Sequence, residues 1–162
     1  MKGAVIMKFT VLEARSFISP FHSNTTRVVK DYEIDMECAS DRIYSCGVFS
    51  DRRLIPGDVM VRRPGDVATM TGVQNSFMLT LDFTEKIECE AYSRNIPGDI
   101  QPIFEDESII RLEPIIHPIN TAEITRIYRL LISLADKNSQ AAHELVLELI
   151  YTLNAEISRK KL

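Results

Sequence analysis

Three cysteines among 162 residues, with no C-x-x-C pair and no long apolar run, set the first limits on this chain. Cys38, Cys46 and Cys89 are odd in number and scattered, which offers no disulfide framework and predicts reduced thiols in a cytoplasmic protein. No stretch approaches the ~20 apolar residues that span a bilayer. The short run from Gly3 to Met7 is ended by Lys8 before it reaches signal-peptide length, so neither membrane nor secretion is expected. Histidine is scarce too. His22, His117 and His143 lie far apart, and no H-x-H pair supplies two metal ligands from one strand face. His143-Glu144 starts like a zinc-protease helix, but Leu147 stands where the second histidine belongs. No metal or other cofactor is therefore expected. There is no G-x-S-x-G, no Gly-rich phosphate loop and no catalytic-cysteine signature, which predicts a protein that is not an enzyme. Net charge is −4 with an isoelectric point near 5.4, so the overall field does not hold nucleic acid. Basic residues cluster only locally, at Arg52-Arg53, Arg62-Arg63 and Arg159-Lys160-Lys161.

What is present reads as one domain in two halves, long enough to bury ~70% of its unfolded surface. All six glycines and five of the seven prolines fall within residues 1–113. That half alternates in hydropathy. Ala4 to Leu12 is rich in β-branched residues. In Val28 to Cys38, one strand face takes Tyr32, Ile34, Met36 and Cys38, and the other takes Asp31, Glu33, Asp35 and Glu37. Ser76 to Phe83 places Phe77, Leu79, Leu81 and Phe83 on one face, and Ile87 to Tyr92 is a further short candidate. Many short strands punctuated by Gly and Pro predict a sandwich or barrel. Glu88 and Glu90 read as a solvated outer face, and Glu105-Asp106-Glu107 as a loop.

Pro-Gly-Asp occurs twice in LIPGDVMVRRPGDV (residues 54–67), eight residues apart. Proline fixes φ at the first corner and glycine accepts φ > 0 at the second, so each reads as a type II turn. Between them Val59 to Arg63 make a strand of ~16 Å. Two reversals around one short strand suit the rims of a small roll-like barrel.

After Pro118 the period changes. Asn120-Thr-Ala-Glu123 is a capping-box variant, followed at helical spacing by Ile124, Ile127, Tyr128, Leu131 and Leu134. Lys137-Asn138-Ser139 breaks the pattern. Ala142, Leu145, Val146, Leu149, Leu153 and Ile157 then stripe a second helix of ~30 Å, which predicts an antiparallel helical hairpin. Leu130, Ile132, Leu147, Ile150 and Tyr151 widen both stripes beyond what one barrel side covers. This predicts a homodimer through the helices, with Ile127, Leu131, Leu134, Leu145, Leu149, Ile150 and Leu153 at or near the contact. A DNA-reading helix pair is rejected, since Glu144, Glu148 and Glu156 repel phosphate.

For a ligand, Arg63 is the first candidate. It shares the parity of Val59 and Val61 and would reach into the barrel mouth to meet an anion or carbohydrate. Phe17, Phe21 and His22, in the polar connector SFISPFHSNTT, would close over a ligand or plug one end of the core. Tyr32 and Met36, on the apolar face of their strand, would line the interior.

Tyr32-Glu33-Ile34, Leu54-Ile55-Pro56-Gly57-Asp58-Val59, Arg63-Pro64-Gly65 and Phe77-x-Leu79-x-Leu81-x-Phe83, in this order and followed by two helices, resemble the N-terminal sensor domain of AraC-type transcription regulators. The resemblance covers roughly residues 25–160. It implies a mainly β fold with C-terminal helices: a cupin-like double-stranded β-helix, a jelly-roll barrel, over residues 26–118, then a helical hairpin over 119–162. It also implies that residues 1–25 supply an N-terminal strand and arm, the arm (8–25) folding over a small-molecule effector such as a sugar or organic acid. DNA would be met only through a C-terminal module outside this chain, which makes the chain a sensor fragment or a stand-alone sensor. The rival expectation is a cupin-fold enzyme, a metal-dependent isomerase or dioxygenase.

Overall fold

The computed structural model describes residues 9–19, 21–39, 42–47, 49–83, 101–102 and 111–160. They form three layers. A five-stranded antiparallel sheet runs β1 (Phe9–Ile18), β8 (Asn75–Phe83), β3 (Tyr32–Glu37), β6 (Val59–Arg62) and β11 (Ile115–Ile116) in spatial order. A four-stranded sheet orders β2 (Ser23–Val28), β7 (Val67–Gly72), β4 (Arg42–Cys46) and β5 (Phe49–Arg53). Two helices, α1 (Thr121–Ser133) and α2 (Gln140–Lys160), complete the chain. Short strands β9 (Gln101–Pro102) and β10 (Arg111–Leu112) pair with each other. The expected strand Ile87–Tyr92, the pair Glu88 and Glu90, the thiol Cys89 and the acidic run 105–107 lie outside the described residues, as do residues 4–8 of the first expected strand.

Both Pro-Gly-Asp corners take the expected geometry. Gly57 sits at φ 95° and Gly65 at φ 91°. In each, the aspartate amide donates to the carbonyl three residues back, Asp58 to Ile55 and Asp66 to Arg63, both at 3.1 Å. Each carboxylate then returns to the amide of that same residue, at 2.9 Å. At Gly57 packing adds a second constraint, because a Cβ there would meet Thr121 Cγ2 at 2.7 Å. The turn is thereby seated against the start of α1.

The apolar core lies between the five-stranded sheet and the helices. Ile34, Met36, Val59, Val61, Leu79 and Leu81 meet Ile124, Ile127, Tyr128, Leu131, Val146, Leu149 and Leu153 there. Burying each such side chain contributes roughly 1.5–3 kcal/mol. A smaller cluster of Val29, Tyr44, Cys46, Leu54, Met60, Ala68 and Ile115 sits between the two sheets. The α1 cap is as expected in part: Asn120 Oδ1 accepts from Glu123 N–H at 3.2 Å. The reciprocal half of the box is not made by Glu123, which pairs with Arg126. Buried Glu156 of α2 accepts from the amides of Ile119 and Asn120 in its stead, at 2.9 and 3.3 Å. Between the helices, Asn138 receives the Val11 amide and donates to the Val11 carbonyl, tying the loop to an irregularity in β1.

Three expectations need correction. Within the chain assigned to an arm, Phe9 to Ile18 are laddered onto β8, and Ser23 to Thr25 onto β7 as the start of β2. Val28 to Cys38 is two strands, broken at Val29–Asp31. Of the residues assigned to a dimer contact, Ile127, Leu131, Leu149, Ile150 and Leu153 are fully covered within the single chain, while Leu134 and Leu145 are half-buried against the same core. One sheet face is broad enough to take both wide stripes. Of the helices' large apolar side chains among the described residues, Leu130 and Tyr151 stay well exposed.

Candidate functional site

Alternation along β3 and β6 decides what faces the space between the sheets. Ile34, Met36, Val59 and Val61 turn to the helices, so Glu33, Asp35, Glu37, Met60 and Arg62 turn inward. The inward side chains are mostly charged, and Arg62 retains 2% of its exposure. Its Nε donates to Glu33 Oε2 at 2.8 Å and its Nη2 to Asp35 Oδ2 at 2.5 Å. Its guanidinium also stands 5.6 Å from the ring centre of Tyr44 on the opposite sheet.

Two further ion pairs cross between the sheets. Arg27 of β2 grips Glu33 with both terminal nitrogens, at 2.8 and 2.7 Å. This fork-to-fork geometry is the strong form of the contact. Arg42 of β4 donates to Glu37 Oε2 at 3.1 Å and touches the sulfur of Met70. Among the described residues of this network, Glu37 Oε1 and Tyr44 Oη are buried without a hydrogen-bond partner. Such groups are rare in folded proteins, because each one gives up water for nothing.

The electrostatics separate the three carboxylates. Burial pushes Asp35 up to about 6 against the opposing pull of Arg62. Burial also pushes Glu37 up to about 7; Arg42 and the Ala39 and Asn75 amides pull the other way, but no donor is aligned on Oε1. Glu33 is buried as well, yet the guanidiniums of Arg27 and Arg62 together outweigh desolvation and hold it below the usual carboxylate range. Burial drives the Tyr44 phenol well above its ordinary value. The interior therefore offers fixed guanidiniums, one firmly ionised carboxylate and a proton-exchanging carboxyl, with a neutral phenol beside Arg62.

Arg63 is held within its own turn. Its amide and Nε engage Asp66 of its own turn, at 2.9 and 3.4 Å. Val59 and Val61 face the helices rather than the other sheet, which hands the interior to Arg62, and Arg63 lies past the end of β6. Met36 and Tyr32 fall on the helix side for the same reason. Phe21 is 77% exposed and His22 is exposed, so neither is covered. Phe17 lies in β1, not in a connector; it opposes Ser76, which opposes Glu37, and opposed residues share a face. Phe17 is thus on the interior side, with the Arg15 guanidinium 4.9 Å from its ring. Sequence reasoning missed Glu33, Asp35, Glu37, Arg42, Tyr44 and Arg62. The available signal was the acidic alternation of β3 opposite the arginine at position 62.

Elsewhere, buried Asp58 holds His117 Nδ1 at 2.8 Å beside the Gly57 turn. Among the described residues no three His, Cys, Asp or Glu side chains are grouped to hold a metal ion, and no helix is long and apolar enough to cross a membrane. No protein-family model matches the chain, and the curated proteins contain no significant match to it.

Proposed function

We propose that this chain is the effector-sensing and dimerisation domain of an AraC-type bacterial transcription regulator, non-catalytic, with a small polar molecule bound between the sheets. One observation carries the reading: the space between the sheets is lined by buried Glu33, Asp35, Glu37, Arg42 and Arg62, with Glu37 Oε1 and Tyr44 Oη left without partners. A buried ion network is a poor way to gain stability, since an apolar filling of the same volume often serves as well or better. Its presence fits a polar ligand that completes the two open hydrogen-bonding positions. The strand orders β1-β8-β3-β6 and β2-β7-β4-β5 support a cupin-like jelly-roll barrel. The six-residue break from Leu134 to Ser139, with Arg126 of α1 bonded to Glu148 of α2, supports an antiparallel helical hairpin. Leu130 and Tyr151, with half-buried Ile132 and Leu147, are the apolar surface left for a second copy.

Effector binding shifts a pre-existing equilibrium only through unequal affinity for its two states. A thermal-shift screen of sugars, organic acids and aromatic metabolites tests the reading, because a ligand specific to the native state raises the unfolding midpoint. A rise lost in both Tyr44→Phe and Glu37→Gln is the expected result; a screen without any rise overturns effector binding. Light scattering should give twice the 18.4 kDa chain mass, and a persistent monomer removes the dimer.

One observation favours a second reading, a cupin-fold enzyme. Glu37, poised at about 7, is matched to proton transfer near neutral pH. Turnover of a screened compound, abolished by Glu37→Gln, would select it.

A further inference from the structure

The β3–β8 ladder keeps a single register on both sides of a gap. Tyr32 opposes Leu81 and Glu33 opposes Thr80; beyond the gap, Met36 opposes Phe77 and Glu37 opposes Ser76. Pairing lapses between them, at Ile34 and Asp35 against Met78 and Leu79. At the lapse each strand turns to a side chain. The Leu79 amide donates to Asp35 Oδ1 at 3.1 Å, and the Ile34 carbonyl accepts from Tyr128 Oη at 2.6 Å.

The two side chains lie on opposite sides of the sheet. Asp35 belongs to the interior network through its second oxygen, which Arg62 holds. Tyr128 belongs to α1, is fully buried, and stacks on Phe77 with ring centres 5.5 Å apart. Adjacent residues of β3 thus carry one hydrogen bond inward and one outward, where an unbroken ladder would tie both backbone groups to the neighbouring strand.

We propose that this lapse couples the interior network to α1: a change in the Arg62–Asp35 contact alters the hold of Tyr128 on β3, and with it the seat of the helix. The proposal rests on reading the interior as the effector site, and it names the route by which that site reaches the helices. Coupling of this kind is a free energy shared by two sites and is measurable without a ligand.

The test is a double-mutant cycle on the full ligand-free chain, pairing Asp35→Asn with Tyr128→Phe in urea unfolding. The side chains are separated by the sheet, so independent sites would multiply their effects on the folding constant. The proposal expects a departure of about fivefold or more from the product. Thr69→Val, on the far face of the other sheet, paired with Tyr128→Phe should simply multiply. If Asp35→Asn does not fold, Tyr128→Phe alone suffices, since it removes one hydroxyl and keeps the ring. Hydrogen exchange at the Leu79 amide should then quicken about tenfold relative to amides of the β2–β7 ladder. A multiplicative Asp35–Tyr128 cycle, or an unchanged Leu79 rate in Tyr128→Phe, overturns the coupling and leaves effector binding standing. A ligand screen without hits removes the effector reading and leaves the coupling standing.

Discussion

The two faces of β3 are both buried and chemically opposite. Ile34 and Met36 enter an apolar layer shared with the helices, whereas Glu33, Asp35 and Glu37 enter a charged layer shared with the other sheet. The first layer gains free energy from area removed from water. The second exchanges water for guanidiniums at short range and gains little net, because desolvation offsets most of the attraction. Stability of this fold therefore sits on the helix side of the five-stranded sheet, and its buried charge on the other.

Breaking each face in turn should expose the difference. The largest loss is expected from Arg62→Ala, which strips buried Asp35 of its arginine, leaves Glu33 to Arg27 alone and should cost about 4 kcal/mol. Leu79→Ala on the opposite face should cost about 3 kcal/mol by leaving a cavity. Urea unfolding measures both, and acid distinguishes them. Lowering the pH protonates the stranded Asp35, so the Arg62→Ala loss should shrink while the Leu79→Ala loss stays. Equal shrinkage would erase the contrast.

Glu37 gives a third test, of comparable or smaller size. Its folded value, about 7, lies above the unfolded 4.5, so the native state holds the proton more tightly. The stability this contributes is present below about pH 4.5 and is lost as the pH rises to about 7, on the order of 3 kcal/mol in full. Asp35 works in the same direction over a window ending near 6. Glu37→Gln should flatten the upper part of the profile, and a variant that keeps the full slope would place the proton elsewhere. Smaller still, Asn120→Ala removes the α1 cap and should cost about 1 kcal/mol. Least of all, Arg126→Gln breaks the exposed contacts to Glu123 and Glu148 and should move the thermal midpoint by about 1 °C or less, and not at all in high salt.

Much of the framework could be read in advance. The turn pair, the strand between its corners, β8, the Asn120 cap and both helices follow from local chemistry that needs no tertiary partner. β2, β4, β5 and β7 were illegible because Ser23-Asn-Thr-Thr-Arg-Val28 and its partners carry no apolar alternation; they are strands through pairing with one another. The site was missed for another reason. Met36 shares a face with Ile34 as expected, but parity names two faces without saying which one meets the helices.

Periodicity along the chain determined which residues of this protein travel together: the apolar set of β3, its acidic set, and the stripes of α1 and α2. Only the tertiary structure decided that the apolar set faces the helices and the acidic set faces the arginines of the second sheet. The reason is physical. A backbone of period two fixes sidedness for any sheet, but which side is wet, oily or charged depends on what the rest of the fold lays against it.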